Sequence, residues 1–402
     1  MNQTKISIPL IALMMSFVAF SIDAVLPALG IIGNHLNVIN PNDNQQIITS
    51  IFLGLAIGQL IYGPISDSIG RKPTIYIGFL FFFIGTFICI FAKNIDTMSI
   101  GRVVQGFGLS ANRIVCLAII RDVYKSNEMA KIMSFIITIF ILVPTLAPTF
   151  GQLVLVWGGW QIIFVLILLV ASFATIWFSI KHPETLNPKD RSSFSFNKTI
   201  KAIIEVFKNR QALNYTLISG LIFAGFIAYL NLSQQIFQIQ YKKTDSFPFY
   251  FALIALSLGL ASFLNGRFVE RYGMFKIVNH SLLGIFLFSG LSILYIFYIS
   301  EPSFLIFLTF LIPLMFCFGL LFGNLNAIAM EPLGHIAGTG ASVIGSLSTF
   351  ISVPIAAYIG KQYIDSVSPL FIGFLVLSTS ALVILFWTNF QKRNDNDVKS
   401  ER

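Results

Sequence analysis

Stretches of about 20 apolar residues, separated by short polar loops, recur along almost the whole chain. Twelve such runs are counted, at about 8–29, 46–66, 74–92, 97–120, 132–156, 160–180, 212–240, 248–266, 275–298, 303–329, 339–362 and 367–390. Each is long enough to cross a hydrocarbon layer roughly 30 Å thick as a helix. The runs do not alternate in polarity, so a membrane β-barrel is excluded. Short loops make sequential helices antiparallel neighbours. The first run carries Asp23, is long, and lacks a small-residue cleavage site, so it is expected to be a span and not a removed leader. The predicted fold class is an all-α polytopic membrane protein of twelve transmembrane helices.

Composition agrees. Hydrophobic residues make up 56% of the 402 residues and charged ones 11%, less than half the share in soluble domains, roughly 25%. The formal charge of +9 would suit nucleic acid, but its distribution argues against that partner. With the N-terminus placed in the cytoplasm, the inner segments hold 20 of the 26 Lys and Arg, and the outer loops hold Lys93, Lys242, Lys243 and Lys361. This positive-inside asymmetry predicts that both termini are cytoplasmic. The three cysteines sit in apolar runs and read as small core residues. No metal-ligand spacing and no cofactor motif is present.

The chain also repeats itself. Gly63, Asp67 and Gly70 are spaced as Gly266, Glu270 and Gly273 are, 203 residues later, each set between two apolar runs. Pro144 matches Pro354 at an offset of 210. Two copies of one six-helix unit around a central cavity are predicted, an arrangement used for alternating-access transport. The expected halves are 1–181 and 211–402. The linker 182–210 is basic and carries a short amphipathic helix near 199–208 that lies on the inner membrane face.

A few residues stand out as chemistry. Asp23 lies within the first run, where an acid is costly unless it is paired or functional. A solvated charge at the helix end is the plainer reading. Arg102 and Arg113 are eleven residues apart in the fourth run, which returns them to one face of a helix within about 20°. They are expected to face a watery cavity, flanked by Gln105 and Asn112. Arg102 lies at the depth of Asp23, and the two are expected to form an ion pair that makes and breaks with protonation. Asn231, Gln234, Gln235 and Gln238 form an amide stripe on one face of the seventh helix, suited either to a cavity or to interhelical hydrogen bonds. Asn324 is a further cavity candidate.

The loop from Gly63 to Pro73 reads as a gate. Asp67 ends a helix, Gly70 permits a tight turn, and Arg71 is placed to pair with Asp122; Glu270 occupies the matching place in the second half. Pro144, Pro148 and Gly151 lie within eight residues of the fifth run and predict a kink, a hinge or a close-packed seam.

These residues resemble the major facilitator superfamily. Gly63-x3-Asp67-x2-Gly70-Arg71-Lys72 looks like its signature loop, and Arg102 to Gly108 resembles its helix 4 motif tied to proton coupling. The stretch Pro144 to Gly151 is similar to the antiporter motif of drug exporters, with Ala147 and Gln152 in place of glycines. Asp23 with Leu26-Pro27-Ala28-Leu29 looks like the helix 1 motif of twelve-helix drug:proton antiporters, and Met330 to Thr339 is similar to the Bcr/CflA bicyclomycin and chloramphenicol exporters. The resemblance implies proton-driven efflux of small drug-like compounds by a monomer in the cytoplasmic membrane. It implies small-molecule substrate, protons and the lipid bilayer as partners. Import or exchange of a metabolite, siderophore or peptide-like solute is the alternative. A membrane-embedded enzyme would need a clustered Ser/His, paired acids or metal ligands at one depth, and the sequence has none.

Overall fold

A computed structural model describes residues 7–124, 126–191 and 195–400. Lys5, Lys125 and Arg402, counted in the charge distribution above, lie outside them. The described chain is helical: α1 (Ile8–Asp23), α2 (Leu29–His35), α3 (Gln46–Ile69), α4 (Arg71–Ile90), α5 (Ile95–Val123), α6 (Ser126–Gly158), α7 (Trp160–Lys181), α8 (Phe196–Lys208), α9 (Arg210–Gln234), α10 (Phe247–Tyr272), α11 (Met274–Tyr298), α12 (Phe304–Met330), α13 (Ala337–Lys361) and α14 (Ser368–Ser400). Among the described residues, ten stretches are long and apolar enough to cross a membrane. One of them, Phe304–Lys361, contains both α12 and α13, joined by the 3-10 turn Glu331–Ile336.

Helix boundaries follow local chemistry. Asn94 caps α5 by accepting the Thr97 N–H at 2.8 Å. Gly70 precedes α4 and Gly273 precedes α11, with φ of +112° and +77°, values that favour glycine. The two loops that match in sequence therefore match in backbone as well. Residues 235–240 close α9 as a π-helical turn, which shifts the facing of the residues beyond it.

Contacts divide the chain into two compact units. One is Met1–Thr199 with Leu230–Leu256; the other is Ile200–Tyr229 with Ser257–Arg402. In the first, α5 packs against both α3 and α4, and α1 packs against α6. Glycines allow this closeness: a Cβ on Gly54 would collide with the Val103 carbonyl, and one on Gly106 with that of Ile51. In the second, α11 packs on α12 and α14, around a ring cluster of Phe318, Phe322, Phe371 and Phe374. Large apolar side chains such as Phe91, Phe173, Phe297 and Phe386 are exposed, as expected where lipid is the solvent.

Candidate functional site

The helix begun at Ile8 breaks immediately after Asp23. Pro27 has no N–H to return to the Asp23 carbonyl, four residues back. The chain tightens instead: the Val25 N–H donates to Ile22 O at 3.3 Å, and a 3-10 turn covers Leu26–Ala28. This leaves the Ser21 carbonyl without its usual i+4 donor. Asp23 is 5% exposed, and among the described residues its carboxylate has no hydrogen-bond or ion-pair partner.

Arg102 takes what the break releases. Its Nη1 donates to Ser21 O at 3.1 Å and to Gln105 Oε1 at 2.6 Å, and its Nε donates to Ile47 O at 2.9 Å. Gln105 passes the chain on, its Nε2 donating to Thr86 Oγ1 at 3.0 Å. The guanidinium sits over the Phe164 ring at 5.8 Å, and Nη2 is buried without an acceptor. Arg102 is 0% exposed, so it ties α1, α3 and α5 together and does not face a cavity. The expected ion pair with Asp23 is not formed. Arg113 differs: it is exposed, without a hydrogen-bond or ion-pair partner among the described residues, beside a buried Asn112 whose Oδ1 has none.

The amide stripe is spent on protein partners. Asn231 Nδ2 donates to Thr49 Oγ1 at 3.1 Å. Gln45 Nε2 donates to Gln235 Oε1 at 2.7 Å, and Gln235 Nε2 to Asn42 Oδ1 at 2.7 Å. Gln234 Nε2 donates to Gln238 Oε1 at 3.0 Å, and Gln238 Nε2 to Pro27 O at 3.2 Å. Through these bonds the α9 end of the stripe is fastened to the segments before and within α3 and to the break after α1, all within the first unit. The polar run Asn40 to Gln46 was the sequence signal for these partners. In the second unit Asn324 Nδ2 donates to Asn265 Oδ1 at 2.7 Å and to Leu320 O at 2.8 Å.

The loop after α3 is a closed network. Arg71 donates to Asp67 and Ser66 through Nη1, and to Asp122 through Nε at 2.8 Å and Nη2 at 3.2 Å. Glu184, which sequence reasoning missed, accepts the backbone N–H groups of Arg71 and Lys72 at 3.0 Å each and of Leu186 at 2.9 Å. Lys72 Nζ donates to the carbonyls of Ser179 and His182 at 2.9 Å, and Thr185 Oγ1 donates to Asp122. His182 is buried and stacks on Phe178 with ring centroids 4.8 Å apart. Burial holds its imidazole below the ordinary histidine value, against the pull of the Pro183 carbonyl. The segment after α7 thus clasps the ends of α3, α4 and α5. The matching loop is bare by contrast: Glu270 is exposed with no ion pair among the described residues, and Gly266 has open space around it.

Helix α6 runs through Pro144 and Pro148 without interruption. A Cβ on Gly151 would strike the Ala24 carbonyl, so this stretch forms a close-packed seam against the break beside Asp23. Among the described residues no group of three or more His, Cys, Asp or Glu is placed to hold a metal.

Comparison with known proteins bears on the whole chain. The family model described as Major Facilitator Superfamily matches residues 11–357. A bicyclomycin resistance protein homolog of Haemophilus influenzae is 28% identical over 98% of this chain and 100% of its own length. The chloramphenicol resistance protein CraA of Acinetobacter baumannii is 25% identical over 96% of this chain and 92% of its own. The xylose transporter XylE from E. coli, in a partially occluded inward open conformation, superposes with a TM-score of 0.72 at 13% identity, covering 94% of this chain and 95% of that one. At that identity the likeness carries the fold alone.

Proposed function

We propose that this chain, which belongs to the Major Facilitator Superfamily, is a proton-coupled exporter of small drug-like compounds. It is a membrane transporter and not an enzyme, like the superfamily it belongs to. The reading gives it twelve crossings. The stretch Phe304–Lys361 supplies two of them, and the apolar part of α6, Leu142–Gly158, adds one to those long enough by themselves. Halves 1–181 and 211–402 flank the linker 182–210, both termini are cytoplasmic, and a monomer in the cytoplasmic membrane is the working form.

The observation that carries the reading is Asp23: an acid in a span, 5% exposed, with no partner among the described residues. A buried carboxylate without a partner is costly, and structure alone gives no reason to keep it. A site that takes and releases a proton does. Arg102 contributes by holding the break open beside it, and Arg113 supplies a free positive charge for neutral or anionic compounds. The amides Gln105, Asn231, Gln234, Gln235, Gln238 and Asn324 contribute polar groups when their present bonds are exchanged, and Asn112 contributes an oxygen that has no partner now. Gly63, Asp67, Gly70, Arg71, Asp122 and Glu270 act in gating, and Pro144, Pro148 and Gly151 in the seam. The direction and substrate class follow the relatives named for bicyclomycin and chloramphenicol resistance. Each unit of pH gradient supplies about 1.4 kcal/mol per proton, and the potential about 2.3 kcal/mol per charge per 100 mV, enough to sustain a tenfold gradient without ATP.

The test is accumulation and susceptibility in a pump-deficient bacterial host. Expression should lower chloramphenicol accumulation, a protonophore should abolish the difference, and Asp23→Asn should do the same at equal protein level. Unchanged efflux in Asp23→Asn overturns the coupling role, and uptake stimulated by an acidic exterior overturns export.

A further inference from the structure

We infer that α8 is an interfacial helix that binds the anionic phospholipid surface of the cytoplasmic leaflet. The helix has one broad apolar arc with a buried side and an exposed side, and the half-buried Ile203 lies between them. Thr199, Ala202 and Val206 are 1%, 3% and 0% exposed, and so face protein. Ile200, Ile204 and Phe207 are 40%, 46% and 55% exposed. At 100° per residue these last three fall within about 60° of one another, and Ile203 lies between them and the buried positions, about 40° from each edge. The exposed stripe is therefore the part of the apolar arc that protein leaves uncovered, and it carries three large apolar side chains.

Charge and position name what covers it. Lys201 and Lys208 are exposed and project about 40–60° from the edge of the apolar stripe, and Lys198 lies further round on the same side. Arg210 follows as the first residue of α9, a stretch long and apolar enough to span the bilayer. With Asn209 alone between them, α8 is held at the depth where that span meets water. The buried positions Thr199, Ala202 and Val206 set the rotation of α8, and Glu205 Oε1 lies 2.6 Å from His335 Nε2 on the turn between α12 and α13. An apolar stripe bordered by lysines at the membrane boundary matches acyl chains below and anionic headgroups beside them. The inference needs α9 to cross the membrane; it does not need export or proton coupling, so the two readings fail independently.

The full-length protein with Phe207→Cys, labelled with an environment-sensitive fluorophore, is reconstituted in vesicles of phosphatidylcholine alone or with phosphatidylglycerol. Cys89 and Cys116 are buried and Cys317 partly so, and the unsubstituted protein sets the labelling background. The expected result is quenching by lipids carrying a shallow nitroxide, stronger with phosphatidylglycerol and weakened by salt. Replacing Lys198, Lys201 and Lys208 by Gln should remove that preference, each lysine near an anionic surface being worth up to about fivefold in the docked-to-undocked ratio. The same label at Ile204→Cys repeats the reading should Phe207→Cys fold poorly. Quenching by aqueous iodide and not by lipid nitroxide in both vesicles overturns the inference. So does equal lipid quenching with and without phosphatidylglycerol, or label self-quenching that rises with protein density, which would mean that a second copy covers the face.

Discussion

Glu184→Ala probes the part of the first unit that sequence reading overlooked. Helix α4 starts after Gly70, a residue with φ of +112° and no side chain, so it has no cap of its own. Its first N–H groups would be left without partners. Glu184 supplies the carboxylate from another part of the chain, accepting from Arg71 and Lys72 at 3.0 Å and from Leu186 at 2.9 Å. Removing a capping acceptor costs about 0.5–2 kcal/mol, and a hydrogen bond to a charged group about 1.5–3 kcal/mol. Glu184 is partly exposed, so water recovers some of this and the loss is about 1–2 kcal/mol. That is roughly 5- to 30-fold in the local opening equilibrium. Glu184→Gln keeps one acceptor oxygen and should lose about half as much.

The assay is hydrogen–deuterium exchange on the protein in lipid nanodiscs, read at residues 71–74 and 184–186. Exchange there should accelerate in Glu184→Ala by the stated factor and by less in Glu184→Gln. Exchange in α11 and α12 should stay unchanged, which separates local loosening from global unfolding. Wild-type exchange at residues 71–74 in Glu184→Ala would refute the capping argument.

Three further outcomes follow. Gly70→Ala and Gly273→Ala both force a side chain into a backbone region that favours glycine, at about 1–3 kcal/mol each. A Cβ at Gly70 would also press on Glu184 while one at Gly273 meets open space, so thermal unfolding should fall further for Gly70→Ala. His182 is held below its ordinary value by burial, so the unfolded segment binds a proton that the folded one refuses; its contribution to stability is present above about pH 6.5 and lost progressively below it. Protection at 182–186, exchange being corrected for its intrinsic pH dependence, should therefore fall on acidification in wild type and much less in His182→Gln. Arg102→Lys cannot reach Ile47, Ser21 and Gln105 together, so its folded yield and melting temperature should drop while those of Asp23→Asn hold; equal melting temperatures for wild type and Arg102→Lys would refute the tie between α1, α3 and α5.

Much of the architecture was legible because a bilayer sets the length of what crosses it. Helix starts were legible where a glycine fixes them, as at Gly70 and Gly273. The pair of Arg71 with Asp122 could be read because both residues stand at loop ends of matching side. Glu184 could not, since nothing in the spacing of His182-Pro183-Glu184 says that a helix elsewhere lacks a cap. The amide stripe was legible as a stripe, but not its partners. A π-helical turn begins at Gln235, and a regular period cannot anticipate which way Gln238 faces beyond it.

The case of Arg102 shows why two intramembrane charges at one depth need not pair. Attraction between opposite charges invites a pair, but a buried guanidinium has five N–H donors to satisfy, and a single carboxylate takes two. Pro27 broke α1 and left the Ser21 carbonyl available; with Ile47 O and Gln105 Oε1 it forms a neutral cradle that takes Nε and Nη1 and leaves Nη2 without an acceptor. A cradle of this kind holds the arginine whether or not Asp23 is charged. Had the two formed a pair, neutralising the acid would have broken a buried pair, a change worth about 3–5 kcal/mol, and a cycle of the kind proposed would have had to bear it. Keeping the arginine on carbonyls lets the carboxyl change state with the helices around it still tied. In the proposed mechanism the absence of an Asp23–Arg102 pair moves the burden of coupling from a breaking salt bridge to the break in α1 itself.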